Sequence, residues 1–286
     1  MTVLIARLAD RAIIEIRGAE TLGFLQDLVT ADVDDLETGT AAHSALLTPQ
    51  GKILFDFFIL AIDGGVLIEC VEDAVAGLVQ KLSMYRLRRA LTITRVEPLA
   101  VAAVWDDTDL PALSGAKIYA DPRNPELGLR LIATEAAVAA IANQPASAYQ
   151  AHRYKLGIAD AAEIGSGELF PHEACYDQFA SVDFTKGCYV GQEVVSRMQH
   201  RGTARSRIVP VDANGSIPEA GSKILAGGKS AGTILGANAG LGLALVRLDR
   251  AAAAGNVLSV DGVSLTMHKP AWAKWADASP ARGDED

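Results

Sequence analysis

Apolar residues recur along this chain with two different periods, and the order of the two patterns constrains the fold more than any other feature. Residues 12–17 alternate apolar with charged side chains, which is typical of a half-buried strand. Residues 19–30 instead repeat leucines at helical spacing. The same criteria predict strands at 3–8, 42–48, 53–62, 66–70, 90–97 and 99–105, and helices at 72–86 and 135–143. Because strands and helices do not alternate as βαβ units, the pattern predicts an α+β fold.

The C-terminal third of the chain has a different texture. From about residue 205, short apolar runs are separated by Gly, Asn, Asp and Pro at short intervals. This spacing predicts a small antiparallel β-barrel or sandwich. Residues 106–126 are rich in Asp, Pro and Gly, and we expect mostly loop there. The last residues, 277–286, are predicted to be a solvated acidic tail.

The charge balance and the cysteines limit the classes of function. Lys and Arg total 26 and Asp and Glu total 35, and the net charge of −9 argues against a dedicated nucleic-acid or membrane-surface binder. Neither a secretory signal nor a run of about 18 apolar residues is visible. The three cysteines form no CxxC pair, which offers no zinc framework and is typical of a reducing compartment. We therefore expect a cytoplasmic protein without a membrane span or a metal site.

One segment, residues 181–207, combines a tight turn with a predicted helix. Gly187 and Gly191 bracket Cys188, and this spacing suits a turn or a close approach of two backbones. Cys188 precedes the predicted helix and follows Lys186 by two residues, an environment that stabilises a thiolate. A buried, unreactive thiol is the alternative, since most free cysteines pack as small apolar residues.

Basic residues are concentrated at two places on this acidic chain. Residues 183–207, which include the helix predicted over 190–201, hold five basic residues and two acids. Arg86, Arg88 and Arg89 form a second group at the end of another predicted helix. Two such groups suit an anionic ligand, such as a polycarboxylate or a phosphate. Cations at the C-terminal end of a helix are also expected on dipole grounds alone.

The motif KGCYVGQE, at residues 186–193, resembles the signature of the YgfZ-type folate-binding proteins. These proteins are relatives of the glycine-cleavage T-protein, an aminomethyltransferase, and of mitochondrial iron–sulphur assembly factors. Other segments resemble the same family in the same order along the chain, at 24–33, 46–59, 84–93, 153–174 and 231–247.

The resemblance implies a fold, a cofactor and partners. The fold would be a three-domain cloverleaf around a central hole that binds tetrahydrofolate, like the aminomethyltransferase folate-binding fold, with a C-terminal antiparallel β-barrel. The implied parts are a discontinuous folate-binding domain, an α+β domain, the barrel and a tail, at 1–45 plus 146–202, 46–145, 203–270 and 271–286. The implied partners of a monomeric protein are folate and iron–sulphur client proteins, including radical-SAM enzymes that modify tRNA.

The resemblance also assigns site residues. Cys188 matches the signature cysteine, and Lys186 and Asp56 join it as catalytic candidates. Asp56 matches the second acid of a stretch that assists transfer at the folate nitrogen in aminomethyltransferases, while Phe55 replaces the first acid. Arg153 is a candidate folate contact, or else an ordinary salt-bridged helix arginine. The cofactor-binding candidates are Arg153, Gly187, Gly191, Gln192, Glu193 and Arg197.

Three functions stay open at this point. The first is a folate-dependent accessory factor for iron–sulphur proteins in which Cys188 acts as a thiolate. The second is a tetrahydrofolate-dependent aminomethyl- or methyltransferase that uses Asp56 as an acid–base group. The third is an RNA- or protein-interaction module based on the basic residues between 197 and 207. The missing first acid favours the first function over the second, and an aromatic content of 6% offers few stacking platforms for RNA.

Overall fold

Two open sheets and one closed barrel form the body of the chain. The computed structural model describes residues 2–202 and 204–275. The strands are β1 (Leu4–Leu8), β2 (Arg11–Arg17), β3 (Ala41–Leu47), β4 (Ile53–Ile62), β5 (Gly65–Val71), β6 (Thr92–Val96), β7 (Leu99–Trp105), β8 (Lys117–Ala120), β9 (Leu129–Thr134), β10 (Ser206–Asp212), β11 (Lys223–Ala226), β12 (Lys229–Asn238), β13 (Leu241–Arg247), β14 (Leu258–Val260) and β15 (Val263–Met267). The helices are α1 (Thr21–Gln26), α2 (Val75–Arg86), α3 (Glu135–Ile141), α4 (Ala146–Leu156), α5 (Ala161–Ile164), α6 (Gln192–Arg201) and α7 (Leu248–Ala253).

The first sheet has five strands in the spatial order β3-β4-β5-β2-β6. Because successive side chains of a strand point to opposite faces, Ile14 and Ile13 of β2 enter two different cores. Helices α1 and α2 cover the face of Ile14, where Phe24 and Leu78 are buried. Phe58 is buried on the opposite face.

The second sheet packs on that opposite face and has the order β1-β7-β9-β8. Val101 of β7 and Ile132 of β9 share a core with Phe58 of the first sheet. Helix α3 covers the outer side of the second sheet through Val138. The two sheets are therefore layered, with one buried core between them and a helix-covered core on each outer side.

The third unit is a closed antiparallel barrel in the order β10-β13-β12-β11-β14-β15. Alternating residues such as Val209 and Val211 fill its interior. The barrel meets α4 at Gly236 of β12, where an added Cβ would lie 2.1 Å from the Tyr154 hydroxyl oxygen, so only glycine fits this contact. The α+β class and the C-terminal barrel predicted from the sequence are confirmed.

Local structure differs from the sequence prediction at several places, of which three have a clear physical reason. The helix predicted from residue 190 begins at Gln192, because Gly191 has a left-handed φ of 81° and cannot be helical. Helix α1 ends at Gln26 because the backbone beyond it pairs with β3, where the Thr30 amide donates to the Ala45 carbonyl oxygen at 3.0 Å. The predicted loop over 106–126 contains β8, which gains its structure by pairing with β9.

The predicted division into domains stays a prediction. The proposed boundary after residue 45 falls within β3, which pairs with β4 in one sheet. No helix within residues 2–202 and 204–275 is long and apolar enough to cross a membrane. The predicted acidic tail lies outside the described residues from 276 onward.

Candidate functional site

The loop that carries Cys188 is docked on the β3–β4 hairpin by two glycines. A Cβ added to Gly191 would lie 2.6 Å from the Thr48 carbonyl oxygen and 3.0 Å from Gly51 Cα. Gly51 also has a left-handed φ, of 80°, and a Cβ there would lie 3.2 Å from the Gly191 carbonyl oxygen. The predicted close approach of two backbones therefore occurs at Gly191. Gly187 does not take part, since a Cβ there would meet open space.

Lys186 fastens the other end of this loop. Its Nζ donates hydrogen bonds to the carbonyl oxygens of Val29 at 2.8 Å and Ala31 at 2.7 Å, and to Gln26 Oε1 at 3.2 Å. These bonds use the three N–H groups of the ammonium. Burial lowers the pKa of Lys186 to about 8, against the opposing attraction of Asp32. Lys186 thus positions the loop, and its role as a catalytic group stays a prediction.

Cys188 differs from the other two cysteines in its exposure. Its side chain is exposed, whereas Cys70 and Cys175 are buried. Burial raises the pKa of both buried thiols to about 12, which keeps them protonated and inert. Cys188 lies three residues before Gly191, the cap of α6, so the helix end is more distant than the sequence suggested. Among the described residues no group of three or more His, Cys, Asp or Glu could hold a metal ion.

The remaining cofactor-binding candidates, Gln192, Glu193 and Arg197, lie on α6. Glu193 and Arg197 form an ion pair of 2.7 Å at the i, i+4 spacing, with 87% and 52% of their side chains exposed. Gln192 is half-buried at the first helical position. As folate contacts, these three residues and the two signature glycines stay predictions.

Asp56 lies at the centre of a buried chain of hydrogen bonds. His43 Nε2 lies 2.8 Å from Asp56 Oδ2, and its Nδ1 lies 2.7 Å from Ser181 Oγ. Tyr176 donates its phenolic hydrogen to the same Asp56 oxygen. The Ser181 carbonyl oxygen accepts a hydrogen bond of 2.6 Å from Thr30 Oγ1. These hydrogen bonds therefore connect Asp56 with the segment that leads into the Cys188 loop.

The surroundings of Asp56 hold it ionised. Burial alone would raise its pKa, but the attraction of His43 and the hydrogen bonds from His43 and Tyr176 outweigh burial and lower the pKa. An ionised carboxylate only accepts hydrogen bonds, so His43 Nε2 and the Tyr176 hydroxyl are the donors to Asp56. Asp56 Oδ1 is buried and has no hydrogen-bond partner within the described part of the chain. Ser181 is fully buried, so the row of Ser181, His43 and Asp56 does not present a nucleophile to a substrate as a serine hydrolase triad does.

Phe55 lies on the other face of β4 from Asp56. Its ring packs toward α2, where a Cβ added to Gly77 would lie 3.1 Å from Phe55 Cζ. The alternation of side chains along a strand dictates this separation. An acid at position 55 would therefore point away from Asp56, and its replacement by phenylalanine does not alter the surroundings of Asp56.

Arg153 is a buried helix arginine at the edge of a cavity. Its Nη1 lies 3.2 Å from Glu163 Oε2 and donates to the Ile158 carbonyl oxygen at 2.9 Å. This is the salt-bridged arrangement that the sequence left open. The same residue also lines a cavity of about 220 Å³ between the β1–β2 turn, α4 and α5. Other lining residues are Arg11, Tyr149, Gln150, Asp160 and Glu163.

Two polar groups of this cavity wall were missed by the sequence reasoning. Arg11 Nη2 and Tyr149 Oη are buried and have no hydrogen-bond partner among the described residues. Arg11 is held in place by Glu69, with 2.9 Å between Nε and Oε1. Leaving polar groups buried and unpaired costs stability, and both residues that carry these two groups line the cavity. Arg11, a charge at the start of an apolar strand, could have been noticed in the sequence.

A cluster of buried ion pairs between the two sheets was also missed. Arg130 on β9 binds Glu69 on β5, and Arg123 Nη2 lies 2.8 Å from Asp121 Oδ2. Phe58 lies beneath both cations, with its ring centre 4.3 Å and 4.8 Å from their guanidinium carbons. Pairing offsets the cost of burying these charges. The cluster occupies part of the space between the sheets, beside the apolar core, and the signal for it was an arginine flanked by leucines in β9.

Curated proteins that are similar over most of this chain share one description. The mitochondrial iron–sulfur cluster assembly factor IBA57 homolog of Pyricularia oryzae is 31% identical over 277 residues, covering 85% of this chain and 71% of that protein. This chain belongs to the IBA57 family of iron–sulphur cluster assembly factors. Human mitochondrial IBA57 is 28% identical over 300 residues, covering 93% of this chain and 84% of the human protein.

The fold of this IBA57-family chain is that of an aminomethyltransferase. Residues 205–275 match the family described as CAF17, C-terminal beta-barrel domain. The crystal structure of the glycine cleavage system aminomethyltransferase T from Bartonella henselae matches with a TM-score of 0.77 over 97% of this chain and 88% of that one. At 14% identity this likeness shows the fold alone, and it confirms the predicted aminomethyltransferase-like architecture.

Two predictions are corrected by these relatives. The YgfZ-type proteins are a related family, whereas this chain is a member of the IBA57 family. The prediction of a cytoplasmic location is wrong, because the IBA57 relatives are named as mitochondrial proteins. The cysteine pattern that led to it reports a reducing environment and does not identify one compartment.

Proposed function

We propose that this chain is a tetrahydrofolate-binding accessory factor that supports the assembly or repair of iron–sulphur proteins through Cys188. One observation carries the proposal: of the three cysteines, Cys188 is the exposed one, on a loop fastened at both ends by Lys186 and Gly191. Membership of a family of assembly factors supports the iron–sulphur part. The proposed clients include radical-SAM enzymes that modify tRNA.

An exposed thiol on a fastened loop suits capture chemistry. As a thiolate, Cys188 can bind the iron of a cluster that is passed to a client, or attack a one-carbon unit at the oxidation level of formaldehyde. Lys186 contributes position, because its N–H groups are already used in hydrogen bonds to the neighbouring segment. The loop therefore presents the sulphur at a defined place.

The cavity beside Arg153 fits the polar chemistry of a folate ring. A pterin carries N–H donors as well as nitrogen and oxygen acceptors. Arg11 and Tyr149 line this cavity and each carries a hydrogen-bond donor without a partner among the described residues, and Asp160 and Glu163 line the same wall. Arg11, Tyr149 and Arg153 would hold the ring. Bound tetrahydrofolate would supply a nitrogen that accepts a one-carbon unit.

Calorimetric titration with tetrahydrofolate tests this assignment through Tyr149→Phe. Because the Tyr149 hydroxyl has no partner in the described part of the chain, its removal should leave the fold intact. We expect binding about three- to tenfold weaker, the effect of one hydrogen bond. The control is Tyr119→Phe, whose hydroxyl is bonded to Glu69 at 2.5 Å, and which should bind normally although it is less stable.

Two results of this titration would count against the assignment. Absence of heat and of a thermal shift with tetrahydrofolate at high concentration would remove the folate from the proposal. Equal affinity of Tyr149→Phe and the unaltered chain would move the folate out of this cavity.

The role of the thiol is tested by complementation in a strain that lacks this protein. Cys188→Ala should lose the activity of a client enzyme that needs a [4Fe–4S] cluster. Cys70→Ala is the matched control, since its thiol is buried with a raised pKa and should not react. Full client activity with Cys188→Ala would remove the thiol from the mechanism.

A tetrahydrofolate-dependent aminomethyl- or methyltransferase is the second candidate, and Asp56 favours it. Its carboxylate keeps one buried oxygen, Oδ1, without a partner among the described residues, which leaves an unused hydrogen-bond acceptor at the position that the resemblance assigns to the acid. Turnover of an aminomethylated donor by the purified chain, lost in Asp56→Asn, would support transferase activity. Absence of turnover with folate acceptors would leave the accessory role.

A further inference from the structure

The turn after α2 holds a leucine in a conformation that favours glycine. The Arg89 amide donates to the Arg86 carbonyl oxygen at 3.0 Å and closes a four-residue turn. Leu87, the second residue of the turn, has a φ of 51° and a ψ of −111°. These angles are those of the first central position of a type II′ turn, where glycine is the usual residue. A side chain at this position strains the backbone.

The strained leucine is also exposed. Leu87 has 84% of its surface exposed, and Met84, one turn earlier on α2, has 61%. Together with Arg88 and Glu20, Leu87 lines a surface hollow of about 700 Å³. The fold therefore gains neither buried area nor a relaxed backbone from the Leu87 side chain. An exposed apolar side chain kept at the expense of strain points to a contact outside the chain.

This turn and the Cys188 loop are anchored on the same segment, residues 24–31. Arg89 Nη2 lies 2.6 Å from Asp27 Oδ2, and its guanidinium lies 5.5 Å from the centre of the Phe24 ring. Lys186 binds carbonyl oxygens of the same segment from the Cys188 loop. A partner bound at the turn would therefore contact the chain next to the segment that fastens the Cys188 loop.

We propose that Met84, Leu87 and Arg88 form a docking surface for a protein partner with an apolar pocket and an acidic rim. The proposal rests on the proposed function, because it brings the partner next to the segment that fastens the Cys188 loop. Charge complementarity supports it, since Arg88 is exposed beside the leucine on a chain with a net charge of −9. Arg86 and Arg89 line the same hollow and also bind the Leu91 carbonyl oxygen and Asp27. An exposed leucine with arginines around it matches the apolar centre and polar rim of protein interfaces.

An extended anionic surface is a poorer match for this site. Glu20 lines the same hollow, and Asp27 pairs with Arg89 at its edge, so the basic area is small and bounded by acids. A membrane or a nucleic acid would need a broader basic face to overcome the negative charge of the whole chain. A pocket on a protein partner would contact only the leucine and the arginines around it.

Two substitutions test the surface without touching the candidate thiol or folate residues. Leu87→Gly removes the anchor and relaxes the turn, so the melting temperature should hold or rise. Arg88→Glu reverses an exposed charge. In a strain that lacks this protein, each should lower client [4Fe–4S] enzyme activity about tenfold or more. Tetrahydrofolate binding and alkylation of Cys188 should stay unchanged. The matched controls on the barrel, Val257→Ser and Lys223→Glu, should retain client activity.

A photoreactive benzoylphenylalanine at position 87 identifies the occupant. We expect one adduct with a protein whose cross-linked surface is acidic, lost with Arg88→Glu and regained when an acid of that surface is changed to lysine. An adduct with a second copy of this chain, with lipid or with nucleic acid would overturn the proposal, as would no adduct. Full client activity of Leu87→Gly and Arg88→Glu would also overturn it, while Cys188→Ala would still test the proposed function separately.

Discussion

Replacing Gly191 by alanine tests whether this signature glycine serves packing. Its φ of 81° is left-handed, a conformation that costs a residue with a Cβ about 1–2 kcal/mol. The added carbon would lie 2.6 Å from the Thr48 carbonyl oxygen and 3.1 Å from Leu47 Cβ, so the hairpin must shift. Overpacking of this kind costs about 1–3 kcal/mol. We therefore expect the free energy of unfolding to fall by about 2–5 kcal/mol in total.

Urea and thermal denaturation followed by circular dichroism measure this loss. The matched control is Gly187→Ala in the same motif, where the added Cβ meets open space and the change should stay within about 0.5 kcal/mol. Gly51→Ala, on the other side of the contact, should resemble Gly191→Ala. A packing role for Gly191 is refuted if Gly191→Ala is as stable as the unaltered chain, or if Gly187→Ala is equally damaging.

Three further predictions follow from the positions of single side chains. Phe55→Asp should lower the free energy of unfolding by about 3 kcal/mol or more, because it places a carboxylate against α2. The variant should not gain aminomethyl transfer, and a stable variant with turnover would contradict this prediction. The pKa of Lys186 in the folded chain is about 8, below its ordinary value of 10.5. Between pH 8 and pH 10.5 the unfolded chain therefore binds more protons than the folded chain, so the contribution of Lys186 to stability rises with pH in this window. Lys186→Met should remove that rise, measured as the difference in unfolding free energy between variant and unaltered chain across this pH window. Iodoacetamide should modify Cys188 in the native chain and reach Cys70 and Cys175 only after unfolding, as counted by mass spectrometry.

Much of the fold could be predicted because its signals lie within short segments. The alternation of residues 12–17 and the spaced turns after residue 205 reflect burial of one face of a strand, and both became β-structure. Strand β8 could not be predicted in the same way. Its four residues are mostly exposed, and its hydrogen bonds come from β9, which follows a separate turn.

The candidate site was predictable in part. The signature motif singled out Cys188, and its exposure agrees with the predicted reactive thiol. The resemblance singled out Asp56, yet its partners His43 and Tyr176 come from distant parts of the chain and carry no local signal. Phe55 was weighed as a lost acid because adjacent residues look equivalent in a sequence, while a strand sends them to opposite faces.

The sequence by itself determined most element types, the C-terminal barrel and the family resemblance. It also singled out the segment in which Cys188 follows Lys186 and lies between Gly187 and Gly191. These depend on periodicity, turn chemistry and motif, which act over a few residues. Only the tertiary structure decided that Lys186 binds backbone carbonyl oxygens, and that Arg11 and Tyr149, each with an unpaired buried atom, line one cavity. It also decided that Leu87 is strained and exposed. Such properties depend on which distant side chains meet and which water is excluded, and they arise when the chain has packed.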